Sequence, residues 1–412
     1  MKKIKLLFCG GVFQKNELPS IIKKSNGNVQ LAANNFQWSL INGFEKNLNQ
    51  PVDLFSYKFL GSYPKNYSDC IIKEKRFSHR NGANDVDLGF VNLAYIKHLI
   101  KPFHEKSILK NWIKTNNAYK RYYFIYSLNL RSIRLAKIIK KYDKDAIIVV
   151  SVNDLPNHIM KDKKNSLLKK LYSNYQISTV YRSLHLFNGF MLVSEGQNNY
   201  LKLTNDEYVI IEGISDCESD FTPLSIDYKT KNIVYAGTLS HHYNIMDLVD
   251  AFLQINDENA RLIICGDGSA RNDIIQKSLI DNRIIYKGNL PKDELNDVYN
   301  SAYCFVNPRY ANQSFTNYSF PIKTIDYLLA GRPVICQKLE AIPEEYDNHL
   351  IYFYRDEDNN LVNTIKNVLT LPISKINEEG EKNYHFVRNL KNSKNQTQKI
   401  LKLFNEKDDR VI

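Results

Sequence analysis

The stretch NPRYANQSFTNYSFPIKTIDYLLAGRPVI, residues 307–335, decides how this chain is read. An apolar strand, Ala302 to Val306, leads into a long polar loop. A helix bearing Lys323 and Asp326 follows, then a Gly331-Arg332-Pro333 turn and a second apolar strand, Val334 to Cys336. This is half of a βαβ unit, and its loop falls where the carboxyl edge of a parallel sheet meets a helix N-terminus, the usual place for an anionic ligand. Pro321 suits a first helical turn, because its missing N–H costs nothing there. The amides around Ser319, Phe320 and Ile322 are then expected to face a phosphate. Lys323 stands just inside that turn, where it is a poor partner for the helix dipole and makes better sense facing an anion. Asp326 lies one turn further on the same face, where a short carboxylate can accept hydrogen bonds from a pair of sugar hydroxyls. An ordinary surface pair between Lys323 and Asp326 fits the spacing equally well.

Outward from this stretch the same rhythm repeats. Asn232 to Ala236 reads as a strand ending in Gly237-Thr238-Leu239, and Ala260 to Cys265 as a strand ending in Gly266-Asp267-Gly268. Ile284 to Tyr286 is a strand running into Gly288, and helices are expected over Ile245 to Asn256, Asp273 to Ile280 and Lys292 to Asn300. Such loops fall on one edge of a sheet, although no glycine cluster has the spacing of a dinucleotide fingerprint. The polar segment Asp216 to Lys231, with Pro223, is the natural linker. Ahead of it, Lys3 to Cys9 is a strand entering Gly10-Gly11, whose backbone can approach a ligand closely. Leu31 to Lys46 reads as a helix and Val52 to Tyr57 as a strand. Tyr119 to Lys141 has apolar residues at helical intervals, and Ala146 to Val152 is a strand that delivers Asp154 to the sheet edge. Asp154 serves equally as a turn or N-cap aspartate before Pro156.

A chain of 412 residues, 43% hydrophobic and 12% aromatic, is globular and long for one core, so two domains are expected. The expected boundaries are 1–222, 223–375 and a helical tail over 376–412. The six cysteines are scattered without C-x-x-C pairs or zinc spacing, so they read as thiols in a reducing, cytoplasmic setting. The apolar run of the N-terminus is short and ends in glycines, and no run is long enough for a membrane helix. The pattern D-x-D occurs at Asp85/Asp87, in a stretch expected to be a polar loop, at Asp143/Asp145 and at Asp356/Asp358. Its recurrence in so charged a chain argues for chance, and no metal is assigned.

The net charge of +12 is uneven: residues 101–172 hold seventeen Lys and Arg against five acids, which accounts for the whole excess. Three readings compete for this aromatic-rich basic stretch. It is a solvated face, a nucleic-acid patch, or a surface resting on anionic lipid. With a ligand-like loop elsewhere in the chain, nucleic acid is the weakest partner of the three.

The run YSFPIKTIDYLLAGRPVI, with VNPR ahead of it and KLEAIPEEY after it, resembles the donor-site segment of glycosyltransferase family 4, in particular bacterial enzymes that build capsular polysaccharide or exopolysaccharide. The resemblance extends over Asn232 to about Phe353. It implies an α/β protein of GT-B architecture, with two Rossmann-like domains facing a cleft and C-terminal helices crossing back to the first domain. It also implies a nucleotide sugar, a UDP-sugar, held as co-substrate by the second domain with no further cofactor. A glycan or lipid-linked oligosaccharide acceptor is then held by the first domain, on the inner face of the membrane. Of the family's two glutamates, the second falls on Asp326, where it binds the ribose, and the first falls on Tyr318. The family's arginine and lysine after the first glycine of this domain fall on Thr238 and Tyr243, so Lys323 and Arg309 are the substitute cations. Amides near Gly237 and Ser319 are to assist them, and Gly266, Gly288 and Phe320 line the same edge. Transfer with retention is implied, with Asp154 positioning the sugar or handling a proton and Lys323 stabilising the leaving phosphate. The alternatives are a nucleic-acid-binding protein and a non-catalytic subunit that binds sugar nucleotide.

Overall fold

The structure, a computed structural model, describes residues 3–408 apart from 28, 95–96, 98–101, 156–166, 217–219, 226–227, 312–313, 356–357 and 359. Pro156, Asp356 and part of the basic stretch 101–172 lie outside the described residues. By its contacts the chain divides into two units. Unit 1 comprises Met1–Val193, Leu201–Ile214 and Ser393–Ile412, and unit 2 comprises Ser194–Tyr200 and Ser215–Asn392.

Unit 1 is built on β1 (Ile4–Gly10), β2 (Asp53–Ser56), β3 (Ile71–Ile72), β4 (Lys75–Phe77), β5 (Asp85–Asp87), β6 (Phe90–Val91), β7 (Lys120–Ile125), β8 (Ile147–Val152), β9 (Gly189–Leu192) and β10 (Tyr208–Ile210). Eight of these form one sheet in the order β10-β9-β8-β7-β1-β2-β5-β4. Its pairs are parallel except β4 with β5. The strand order reverses between β1 and β7, which makes that edge the switch point of unit 1.

Two segments differ from the sequence expectation. Residues 120–125 form β7 rather than the start of a long helix, and the helix begins at Leu130 behind an Asn129 cap. Tyr122, Tyr123, Phe124 and Ile125 are all buried. A central parallel strand covered on both faces shows a continuous apolar run rather than alternation, and that run was absorbed into the helical pattern after it. Residues 85–87, expected as a polar loop, form β5, with Asp85 and Asp87 buried. Both carry protein partners: Asp87 pairs with Lys58 at 2.9 Å, and Asp85 with His79 at 2.7 Å. Asp143 likewise pairs with Arg121, at 2.6 Å.

The last helix, Ser393–Asp408, completes unit 1 against the helix Leu31–Leu48. The two backbones meet at Gly43, where a Cβ would stand 2.2 Å from the Ser393 carbonyl oxygen. Asn47 Nδ2 donates to the Lys394 carbonyl at 2.7 Å, and the Phe404 ring stacks on Tyr122 at 4.7 Å. The helix Ile373–Leu390, expected in the same tail, belongs to unit 2 and packs on the helix Lys323–Leu329.

Unit 2 is built on β11 (Lys231–Ala236), β12 (Ala260–Cys265), β13 (Ile284–Gly288), β14 (Ala302–Asn307), β15 (Val334–Gln337) and β16 (Ile351–Phe353). They form one parallel sheet in the order β13-β12-β11-β14-β15-β16, the doubly wound arrangement with its switch point between β11 and β14. Apolar helices cover both faces. The pairing of β11 with β14 ends at Val234, and the Gly237 amide turns to the Cys265 carbonyl of β12. Ala236 stays in register with Cys265 of β12, but its own amide and carbonyl face the β14 side, where the pairing has ended. The buried Tyr327 hydroxyl replaces it, accepting from the Ala236 amide and donating to the Ala236 carbonyl, each at 2.9 Å. Its ring lies flat on Phe305 at 4.4 Å. Desolvation holds this hydroxyl protonated, far above the ordinary tyrosine value. Arg332 closes the same unit from below, its buried guanidinium donating to the carbonyls of Ala302, Thr222, Gly331 and Asn300.

Two stability predictions follow from these contacts. Tyr327→Phe strands a buried N–H and a buried C=O, so unfolding in urea should show unit 2 destabilised by about 1–3 kcal/mol. The second concerns His79, whose Nδ1 meets Asp85 at 2.7 Å and whose Nε2 meets Glu45 at 3.1 Å. Burial alone would lower its pKa, but the bonds to Asp85 and Glu45 outweigh burial and raise it to about 9. Because the folded value is the higher one, the stabilisation is complete below about pH 6.5 and is lost as pH rises through about 9. Melting curves of wild type should therefore fall by a few kcal/mol over that window, whereas His79→Gln should be nearly flat there. Parallel curves for the two proteins would refute the assignment.

Candidate functional site

The carboxyl edge of the unit 2 sheet collects most of the residues expected to meet a ligand. Gly237 and Thr238 follow β11, Gly266 follows β12, Gly288 closes β13, and Arg309 stands just past β14. The glycine loops are tied to one another. The Gly237 amide donates to the Cys265 carbonyl at 3.0 Å, the Gly266 amide to the Gly288 carbonyl at 2.7 Å, and the Leu239 amide to the Asp267 carbonyl at 3.0 Å. Gly266 is demanded twice over: its φ is +133°, and a Cβ would lie 1.9 Å from the Gly237 carbonyl oxygen. The Gly237 amide is thus engaged inside the protein, which corrects the expectation that it assists at a phosphate, and the Gly266 amide is engaged likewise. These glycines shape the floor of the edge. Thr238 is exposed beside it, its carbonyl accepting from the Tyr235 hydroxyl at 2.9 Å.

The switch point brings the loops after β11 and β14 together. The Arg309 guanidinium carbon lies 4.2 Å from the ring centroid of Tyr243 and 6.0 Å from that of Phe315. These two rings meet edge to face at 5.8 Å. Stacking of this kind contributes about 0.5–2 kcal/mol and holds a planar cation in place while its N–H groups stay available. Among the described residues no carboxylate forms an ion pair with Arg309. The cation therefore stands against the residue that occupies the lysine position of the resembled family.

The loop and helix beyond Arg309 differ in detail from expectation. The helix spans Lys323–Leu329, with Ile322 as its cap residue, so Pro321 lies ahead of the helix rather than in its first turn. The Ser319 amide donates to the Phe315 carbonyl at 2.9 Å and is not free for a phosphate. Phe320 is a core residue whose ring packs on Tyr346 at 5.4 Å. Tyr318 is buried too: its ring meets Tyr200 edge-on at 5.7 Å and its carbonyl accepts from Ser194 Oγ at 2.8 Å. The position of the family's first glutamate thus anchors the loop to the segment Ser194–Tyr200. There Gly196 approaches so closely that a Cβ would stand 1.7 Å from the Asn317 carbonyl oxygen. Lys323 Nζ and Asp326 Oδ2 pair at 3.3 Å, with side chains 44% and 42% exposed. A pair so exposed contributes about 0–1 kcal/mol, so a ligand can open it at little cost.

In unit 1 the two leading glycines are closed to a ligand, a second correction. The Gly11 amide donates to Gln37 Oε1 at 2.8 Å. A Cβ on Gly10 would stand 2.3 Å from that same oxygen, and one on Gly11 2.4 Å from the Phe59 ring. Asp154 follows β8 as an exposed residue, yet the protein mass around its carboxyl raises its pKa above the usual carboxylate value. Among the described residues no cluster of three or more His, Cys, Asp or Glu could hold a metal ion, and no helix is long and apolar enough to cross a membrane. Sequence reasoning missed Phe315 and Tyr327 as parts of this site and took Tyr243 only as the loss of a family lysine. The signal of the first two was aromatic character, which a buried core residue shares.

Residues 230–370 match the family model "Glycosyl transferases group 1". The phosphatidylinositol N-acetylglucosaminyltransferase gpi3 subunit of Schizosaccharomyces pombe is 27% identical over 113 residues, covering 27% of this chain and 24% of that protein. The match thus spans about a quarter of that curated relative. Among solved structures, sucrose-phosphate synthase from Thermosynechococcus elongatus superposes with a TM-score of 0.61 at 14% identity, covering 98% of each chain. Anabaena HepE in complex with UDP does so with a TM-score of 0.53 at 11% identity, covering 98% of this chain and 100% of the other. Residues 230–370 are therefore a glycosyl transferases group 1 domain, set within a chain whose fold is GT-B.

Proposed function

We propose that this protein transfers a sugar from a nucleotide sugar, with retention of configuration, to a glycan acceptor that is lipid-linked, in the assembly of a bacterial surface polysaccharide. The observation that carries the reading is Arg309 stacked on Tyr243 at the unit 2 switch point. A departing nucleoside diphosphate develops negative charge, and a fixed guanidinium beside the floor of glycine loops is placed to meet it. Lys323 supplies the second cation once its pair with Asp326 opens, and Asp326 then accepts from the ribose hydroxyls. These cations serve in place of a divalent ion in this reading. Asp154 positions the transferred sugar or handles a proton, a role its raised pKa suits. UDP is the preferred nucleotide on the likeness to the UDP-bound Anabaena protein.

Unit 1 takes the acceptor. Its helices Glu105–Thr115 and Leu130–Tyr142 expose Lys106, Lys110, Lys137 and Lys141, and each such residue near anionic lipid contributes about 1 kcal/mol. This favours a protein that works at the inner face of a membrane. A second reading, a subunit that binds sugar nucleotide without turnover, is favoured by Tyr318 and by the Lys323–Asp326 pair.

Calorimetric titration of UDP, GDP, CMP and their sugar conjugates, with and without magnesium, tests the donor site. One nucleotide should bind at micromolar level without metal, and Asp326→Ala and Arg309→Gln should each weaken it at least tenfold. Absence of binding by every nucleotide would sink the donor reading. Binding without release of free sugar or nucleoside diphosphate in the presence of lipid-linked acceptors would select the second reading.

A further inference from the structure

Unit 1 contains a cavity of about 730 Å³ that none of the assignments above uses. It lies beside the end of β7, bounded by the chain after β2 and by the helices Leu130–Tyr142 and Leu167–Arg182. This volume admits a sugar with a substituent. Part of the wall is apolar, from Phe59, Leu128 and Ile177. The rest is polar and incompletely paired.

The Arg131 guanidinium carbon lies 4.6 Å from the Tyr57 ring centroid, and Nε comes only within 3.6 Å of Glu105. Its Nε and Nη2 are buried without a hydrogen-bond partner. Glu105 is already held by Arg134 through contacts of 2.9 and 3.2 Å. One carboxylate thus serves two guanidiniums, and one positive charge is left over. Lys97 adds another: its Nζ donates to the Leu60 carbonyl at 2.8 Å and forms an ion pair with no carboxylate among the described residues. Desolvation draws the pKa of both Arg131 and Lys97 below the ordinary values. Gln176 also lines this cavity, and its Oε1 is a buried acceptor without a donor.

Each such unmet buried group weighs against the empty cavity, and more so when it is charged. A ligand carrying a doubly charged anion and hydroxyl groups compensates the unpaired charges, and a turn of the Arg131 and Gln176 side chains brings their unmet atoms to it. Phosphate is the anion whose charge and bidentate oxygen geometry suit a planar guanidinium with a lysine beside it. We infer that this cavity binds a phosphorylated sugar, its phosphate held by Arg131 and Lys97 and a hydroxyl by Gln176. The inference rests on the reading of unit 1 as the acceptor unit, and it narrows the acceptor to a sugar phosphate ester, free or lipid-linked.

The test is calorimetric titration of the full chain with glucose 6-phosphate, glucose, inorganic phosphate, and a farnesyl-diphosphate-linked glucose in detergent micelles. Glucose 6-phosphate or the micellar conjugate should bind at least tenfold more tightly than glucose or phosphate alone. Arg131→Gln and Lys97→Met should each reduce that affinity at least tenfold, and Arg309→Gln should leave it within twofold. The soluble arm identifies a free sugar phosphate and the micellar arm a lipid-linked one. Thermal melts of all three variants, and UDP titration of the two cavity variants, establish that they are folded. Failure of both esters to bind wild type, or equal affinities in wild type and in both cavity variants, overturns the inference. Failure of UDP to bind wild type counts against the donor site of unit 2 instead, because the phosphosugar titration is read from unit 1.

Discussion

The unit 2 site depends on how a parallel sheet ends where its strand order reverses. At that point two neighbouring strands diverge, and backbone groups that were paired become unmet. In this chain the debt falls on Ala236, and Tyr327 meets it with both a donor and an acceptor from one hydroxyl. The same helix carries Lys323 and Asp326. The bond that completes the sheet therefore also sets the height and rotation of the helix that bears those two side chains. A phenyl ring would fill the space and stack on Phe305, but it would not fix that register.

With the helix fixed, the chemistry of the edge is shared between rigid and adjustable parts. The glycine loops are bonded to one another, and Arg309 rests on two rings, so these elements need no rearrangement to meet a charged group. Lys323 and Asp326 pair at the surface and, in the function proposed, are the parts that turn. Preorganised charge with one weak latch suits a site that binds a phosphate ester and then releases it.

The α/β rhythm, the glycine-ended strands and the helix bearing Lys323 and Asp326 were legible because each has a local signature in period or in turn residues. The reading failed where local signature and tertiary role part company. Residues 120–125 are apolar on both faces because β7 is central, so they carried no period to distinguish them from the following helix. Asp85 and Asp87 looked like loop residues because buried carboxylates are rare, and only the distant partners His79 and Lys58 make them admissible in a strand. The glycines at positions 10, 11, 237 and 266 were correctly placed at strand ends. What the sequence did not reveal is that Gln37, Phe59 and neighbouring carbonyls fill the space they leave.

The place of the last helix has a consequence for the order of folding. Residues 393–408 supply Phe404, which stacks on a tyrosine of the central strand β7, and Ser393, which meets the backbone at Gly43. In a chain made from its N-terminus, unit 1 begins first and yet lacks this helix until all of unit 2 has been synthesised. Unit 2 can close its own sheet before that. Until the final helix arrives, unit 1 exposes an apolar face, so translation itself keeps the first-made domain waiting on the second.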